Sequence, residues 1–301
     1  MRYVDLLFRG HERVIATAVL EGADGIAVVD PGPTSCLAQL ESGLVALGRR
    51  VSEIRAILLT HIHLDHAGGT GTLAARLPND VPVYVHARGA PHLVDPSRLL
   101  ASATRLYGDR MDALWGAFEP VAAARVRELA GGETLTVCGR PIEVADTPGH
   151  ANHHVSYFDR AAGMAYVGDT AGIRISHDVL IAPTPPPDID LEKWHDSLGR
   201  IEAWAPSRLF LTHFGPVGEV PAHLRRFRDA LRSSAALVKR TLEQDGTDEA
   251  RAARFVEELR RQIRRSVPEA DRARTELAAP YDQLWQGLAR YWRKKNAGPA
   301  S

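Results

Sequence analysis

Thr60-His61-Ile62-His63-Leu64-Asp65-His66-Ala67-Gly68-Gly69 packs three histidines and a carboxylate into six consecutive positions. Just upstream, Ile54 to Leu59 is an apolar run broken by one arginine, the pattern of a buried β-strand, so the histidines begin where the strand ends. Alternate residues of an extended chain point the same way, which sets His61 and His63 on one side before the chain turns at Asp65 and His66. Gly68 and Gly69 then let the backbone turn away tightly. A cluster this dense reads as a metal site, and the lack of a nearby cysteine argues against a closed structural zinc site. His61 and His63 suit one ion, and Asp65 and His66 a second, provided that other segments supply further ligands.

Three segments offer them. Thr147-Pro148-Gly149-His150 follows a strand-like run from Ile142, Val167-Gly168-Asp169 closes a strand from Met164, and Leu209-Phe210-Leu211-Thr212-His213 ends another. Each places one donor at a strand's C-terminal edge.

In these elements the chain resembles the metallo-β-lactamase superfamily: H-x-H-x-D-H, T-P-G-H, G-D and a final T-H occur in the family's order, and Val28-Val29-Asp30-Pro31-Gly32 also matches. Any one of these motifs is weak, but the separated matches together are specific. The resemblance implies that His61, His63 and His150 hold a first metal, that Asp65, His66 and His213 hold a second, and that Asp169 bridges the two. It implies a supporting role for Asp30 and His154. True lactamases often place a cysteine where this chain has Asp169, so the likeness is to the glyoxalase II and lactonase branches. The implied chemistry is hydrolysis of a small thioester or lactone by a metal-bound hydroxide, with Asp65 both a ligand and the group that orients the nucleophile. A phosphodiesterase or nuclease of the same fold is the alternative, and a mononuclear iron oxygenase or a binding protein is a third reading. A donor set of imidazole and carboxylate without thiolate suits Zn²⁺, and iron or manganese accept the same set.

The remaining sequence fits an α/β protein, a four-layer αββα sandwich of two sheets between outer helices, with a helical insertion and a helical C-terminal appendage. Residues 1–220 read as the catalytic domain, and 221–301 as a helical subdomain. Leu37, Leu40, Leu44 and Leu47 fall at helical spacing, with Gly48 placed to end the helix. From about Ala90 to Leu129, apolar residues scattered through Arg, Asp and Ala read as the helical insertion, either a lid or a dimer contact, with Tyr107, Trp115 and Phe118 as candidate pocket residues. His177 is a further candidate substrate contact. His86 and His195 read as structural histidines, and His153 as facing solvent. Pro183-Thr184-Pro185-Pro186-Pro187 reads as a stiff connector, after which Asp190 caps a helix.

Composition bounds the partners. The 301 residues have no net charge, yet from Pro221 onward there are 18 Lys or Arg against 11 Asp or Glu, leaving the preceding body acidic. Such a body repels polyanions, so a small molecule is the expected partner and nucleic acid is not. The basic tail reads as a solvated face, as a contact with a second subunit in a homodimer, or as an attractor of anionic substrate. The two cysteines give no disulfide framework, and no stretch suits a signal peptide or a membrane span, which together predict a cytoplasmic protein.

Overall fold

The computed structural model describes residues 1–176 and 179–297; His177 lies outside them. The first half builds β1 (Arg2–Asp5), β2 (Ala16–Gly22), β3 (Gly25–Val29), α1 (Leu37–Ala46), β4 (Ile54–Leu58), α2 (Leu64–Ala67), α3 (Thr70–Ala74), β5 (Val83–His86), α4 (Ala90–Val94), α5 (Ser97–Tyr107), α6 (Met111–Trp115) and β6 (Val126–Leu129). Its six strands form one sheet in chain order, antiparallel as far as β3 and parallel beyond it. The second half builds β7 (Thr134–Val137), β8 (Arg140–Asp146), β9 (Val155–Asp159), β10 (Met164–Tyr166), α7 (Leu191–Ala203), β11 (Arg208–Leu211) and β12 (Gly215–Val217). These strands form a second sheet, ordered β12-β11-β10-β9-β8-β7, in which only β10 and β11 pair in parallel. Four helices follow: α8 (Val220–Leu242), α9 (Asp248–Ser266), α10 (Glu269–Ala278) and α11 (Tyr281–Asn296).

Side-chain alternation explains the layering. Ala16, Ala18 and Leu20 of β2, with Ala27 and Val29 of β3, face the second sheet, whereas Val19, Ile26 and Val28 face Leu37, Leu40 and Leu44 of α1. Small alanines on the inner face let the sheets approach closely, and larger aliphatics meet the helix. The result is the expected helix-sheet-sheet-helix order.

The tail helices continue the second sheet's core: Leu224 and Phe227 of α8, Phe255 of α9 and Leu288 of α11 are fully buried in one cluster with Trp194 of α7. Phe227→Ala would leave a cavity there at a cost of ~3–5 kcal/mol.

Two expectations need correction. The insertion is helical only through α6; Val126 to Leu129 is instead strand β6, pairing in parallel with β5. Arg127 and Glu128 are exposed on this edge strand, so its sequence lacks the apolar run of a buried strand. In the tail, α10 is a helix the apolar spacing does not mark, because among its ten residues only Thr275 is buried. Of the histidines read as structural, His86 is buried at the end of β5 and accepts from the Arg88 amide, whereas His195 is exposed on α7.

Candidate metal centre

The candidate donors stand at the same end of both sheets. Asp30 follows β3, His61 and His63 follow β4, His150 follows β8, Asp169 follows β10 and His213 follows β11. Cross-sheet hydrogen bonds fix these ends together: the Val155 amide donates to the Thr60 carbonyl at 2.8 Å, and the Ala16 amide to the Thr212 carbonyl at 2.8 Å. Asp65 and His66 come from α2, which the chain enters directly after His63. The paired glycines that follow are not in a left-handed turn. A side chain at Gly69 would sit 2.9 Å from the Gly32 carbonyl, which accepts a 2.7 Å hydrogen bond from the Gly69 amide, so it is close backbone approach that demands glycine there.

Three groups of ligand atoms converge, each within 4.8 Å: His61 with His63 and His150, Asp65 with His66 and His213, and between them His61 with His66 and Asp169. In the first, His150 Nε2 lies 2.9 Å from His63 Nδ1 and 3.3 Å from His61 Nε2. In the second, His213 Nε2 lies 3.2 Å from Asp65 Oδ2, and His66 Nε2 lies 3.6 Å from the same oxygen. Asp169 faces both. Its Oδ1 is 3.3 Å from His66 Nε2 and 3.7 Å from His213 Nε2, while its Oδ2 is 3.4 Å from His150 Nε2.

The surroundings set which ring nitrogen carries the proton. His150 Nδ1 donates to the Pro183 carbonyl at 2.8 Å, and His213 Nδ1 to the Val14 carbonyl at 2.7 Å. His66 Nδ1 donates to Asp30 Oδ2 at 2.8 Å. Thr60 Oγ1 donates to the same Oδ2, also at 2.8 Å, leaving its lone pairs to accept from His61 Nδ1 at 3.1 Å. In their neutral forms these four imidazoles are thereby held with Nε2 lone pairs turned inward. The fully buried Asp30 is the hub, since its Oδ1 also accepts from the Thr60 amide and its Oδ2 from Thr212 Oγ1, each at 2.8 Å. His154 acts on Asp169: its Nε2 accepts from the Asp169 amide at 3.3 Å, while its Nδ1 meets Thr147 Oγ1. Gly168, at φ 47°, packs so close that a Cβ would lie 2.5 Å from Thr60 Oγ1.

This donor set fits cations. His150 and His61 face each other with two lone pairs 3.3 Å apart and no proton to share, and His66 Nε2 and Asp169 Oδ1, buried 3.3 Å apart, make no well-directed hydrogen bond among the described residues. The two halves also differ electrostatically. Burial, with neighbouring His150, pushes His63 down to about 3, whereas at His66 burial is outweighed by Asp65, Asp169 and Asp30, which raise it well above the usual imidazole range. Asp65, despite its burial, is held down to about 2 by His66 and His213. The carboxylate-rich half thus attracts positive charge and the histidine-rich half offers neutral ligands.

The centre opens into a cavity of about 510 Å³. Tyr107 and Trp115 both line it, as the sequence suggested, Trp115 stacked on Phe8 with centroids 5.4 Å apart; Phe118 is buried away from it. His153 is half-buried in the cavity wall rather than facing solvent. The far wall was not legible in the sequence: Leu277, Ala278 and Gln283, from the α10–α11 corner, also line the cavity. The Tyr107 hydroxyl donates to Gln283 Oε1 at 3.2 Å, joining insertion to tail. Thr60, Thr212 and Trp194 were missed too. Trp194 packs edge-on to His150 at 5.7 Å and lies so close that a Cβ at Gly149 would be 2.4 Å from its Cα.

The family model described as the metallo-beta-lactamase superfamily matches residues 12–213, which contain every one of these donors. The chain belongs to that superfamily. Its members include metallohydrolases, which agrees with the His/Asp donor cluster. A metallo-beta-lactamase fold-containing protein, ST1585, from Sulfurisphaera tokodaii is 30% identical over 169 residues, 54% of this chain and 60% of that one. A hydroxyacylglutathione hydrolase from Aeromonas hydrophila is 32% identical over 143 residues, 48% of this chain and 41% of the relative, so the chain matches well under half of that enzyme's length. The crystal structure of the metallo-beta-lactamase family protein TTHA1429 from Thermus thermophilus superposes with a TM-score of 0.67 at 21% identity, covering 94% of this chain and 89% of that one. Among the described residues no helix is long and apolar enough to cross a membrane.

Proposed function

We propose that the chain is a dinuclear metal-dependent hydrolase of a small ester-like substrate, a thioester or a lactone. The observation that carries this reading is the pair of donor triads joined by Asp169, opening into a cavity lined by both apolar and charged side chains. His61, His63 and His150 would hold one ion, Asp65, His66 and His213 the other, and Asp169 both. Zinc suits the set, and iron or manganese would fit the same donors. Two bound cations supply an acidified water and polarisation of a carbonyl oxygen.

The chain's own residues supply the rest. Asp65 is the most exposed carboxylate of the centre, its side chain 23% accessible, and it lines the cavity, so as an ionised acceptor it can hold and aim a water at a carbonyl carbon above it. Asp30, Thr60 and the Pro183 and Val14 carbonyls keep the imidazoles oriented while this happens. In the net reaction the acyl carbon gains OH, its bond to sulfur or oxygen breaks, and the leaving atom gains the proton. The thioester preference draws support from the partial similarity to hydroxyacylglutathione hydrolases. A phosphodiester is the second reading, favoured by the exposed Arg98 and Arg110 at the cavity rim.

A hydrolysis screen of metal-quantified protein against thioesters, lactones, β-lactams and phosphodiesters tests this directly. The expected result is turnover of a thioester or lactone that falls by orders of magnitude in Asp65→Ala, with metal content measured beside the rate. Far faster cleavage of bis-aryl phosphodiesters or short RNA, abolished in that variant, would overturn the ester reading.

A further inference from the structure

The cavity extends from the metal centre into a space between two segments that are distant in sequence. On one side stands the insertion. Along α5, Leu99, Ala103 and Leu106 share one face at helical spacing, and Leu114 and Trp115 of α6 continue it. On the other side stands the α10–α11 corner, with Leu277 and Ala278 at the end of α10. Ala278 packs against both hydrophobic clusters of the molecule, the one shared by the second sheet and the tail and the one shared by the first sheet and the insertion. The corner is therefore fixed to both bodies, and the Tyr107–Gln283 hydrogen bond closes the gap between them. The cavity joins the His/Asp centre to this apolar lining, with Arg98, Arg110, Glu276 and Asp282 also on its walls, and the apolar stretch of this trough has the chemistry of a seat for a hydrocarbon chain.

We infer that this trough binds the acyl chain of the substrate, so that chain length is read between Leu106 on the insertion and Ala278 on the tail. The inference rests on the ester reading above and narrows it: the substrate is a medium-chain acyl thioester or an acyl-bearing lactone, with its carbonyl at the His/Asp centre and its alkyl chain along α5. The tail is then part of the specificity apparatus. A phosphodiester lacking such a chain would leave the trough empty.

The test uses purified, metal-loaded protein and two matched series of N-acetylcysteamine compounds. S-alkyl thioethers from ethyl to decyl have no carbonyl to cleave and report binding by calorimetry; S-acyl thioesters of the same lengths report turnover. Each methylene that enters the trough should tighten thioether binding about fourfold, the equivalent of ~0.8 kcal/mol, until the trough is full. Ala278→Phe, which narrows the trough from the tail side, should end the rise at a shorter chain, and Leu106→Ser, on the opposite wall, should flatten it. Equal affinity for ethyl and octyl thioethers would overturn the inference. So would an unchanged chain-length profile in both variants with native circular dichroism. Length-dependent binding with no thioester or lactone cleaved would refute the ester reading and leave the trough assignment standing. Cleavage indifferent to length would do the reverse.

Discussion

Asp30→Asn is the sharpest probe of how the centre is built, because it changes one oxygen into an NH₂ group with little change of volume. In the native chain Oδ2 accepts three hydrogen bonds of 2.8 Å, from Thr60 Oγ1, His66 Nδ1 and Thr212 Oγ1, and Oδ1 accepts one from the Thr60 amide. With the amide oxygen kept on the Thr60 N–H, the new NH₂ faces three donors. The two threonine hydroxyls can rotate to accept. His66 can accept only by moving its proton to Nε2, which removes the lone pair it turns towards Asp169 and Asp65. Loss of a partner that orients a ligand typically weakens metal binding 10- to 100-fold, ~1.4–2.7 kcal/mol. A charge-assisted bond in a fully buried site adds a stability cost of ~1.5–3 kcal/mol in the metal-free protein.

Stepwise metal titration against a competing chelator, paired with urea unfolding of chelator-stripped protein, measures both quantities. The second ion, on Asp65, His66 and His213, should weaken by one to two orders of magnitude. The first should move less, since His63 and His150 make no contact with Asp30 and His61 reaches it only through the Thr60 hydroxyl. If the second ion bound the variant as tightly as the native chain, or if the first weakened equally, the account of Asp30 as the group that sets the His66 tautomer would be wrong.

Further outcomes follow from the same geometry. Purified, unchelated protein should carry close to two transition-metal ions per chain; Asp169→Ala should deplete both together, whereas His213→Ala should mainly empty the second, as read by elemental analysis. Full occupancy in the Asp169 variant would exclude a bridging role. Replacing Cys36 and Cys138 together by Ser should leave turnover nearly unchanged, because both thiols are buried and burial raises Cys36 to about 11, far from a reactive thiolate. Loss of activity at native stability and metal content would point to a thiol mechanism instead. His223 on α8 is pushed down to about 4 by burial and by Arg174 and Arg226, against a bond to the Ala171 carbonyl. The unfolded chain, with its ordinary histidine value of 6.5, binds that proton first, so stability should fall as pH drops from about 6.5 to about 4, by at most roughly 3 kcal/mol. His223→Gln keeps a donor for Ala171 and should remove that share of the pH dependence in urea unfolding; identical slopes for the two proteins would contradict it.

The legible part of this protein was its metal-ligand chemistry. Histidines and carboxylates clustered at strand ends can be read because they interrupt apolar runs, and His61, His63, Asp65, His66, His150, Asp169 and His213 do converge. Asp30 and His154 were readable only through the family likeness, since a single acid after an apolar strand carries no distinctive pattern. Thr60 and Thr212 were not readable: their role depends on both sheets ending beside one carboxylate. The same holds for the cavity's tail wall. Ala278 and Leu277 look like any apolar pair at a helix end, and only tertiary packing places them opposite α5. Strand β6 was missed for a local reason, in that an edge strand bearing exposed Arg127 and Glu128 resembles the helical segments around it.

The charge asymmetry of the sequence resolves in the same way. Much of the tail's positive charge is engaged within the chain: Arg228 pairs with Glu202 and Lys295 with Glu192 on α7, while Arg260 pairs with Glu276, Arg264 with Glu257 and Arg293 with Asp248 inside the tail. These pairs are largely solvent-exposed, so each contributes little and weakens further with salt. They cannot be what holds the tail in place. Burial of Phe227, Phe255, Trp285 and Leu288 is, at ~1.5–3 kcal/mol for each large side chain taken from water. A tail docked by apolar area keeps its corner beside α5 regardless of ionic strength. In that position Leu277 and Ala278 form a standing wall of the cavity, and the net positive charge of the helices need have no part in recognising the substrate.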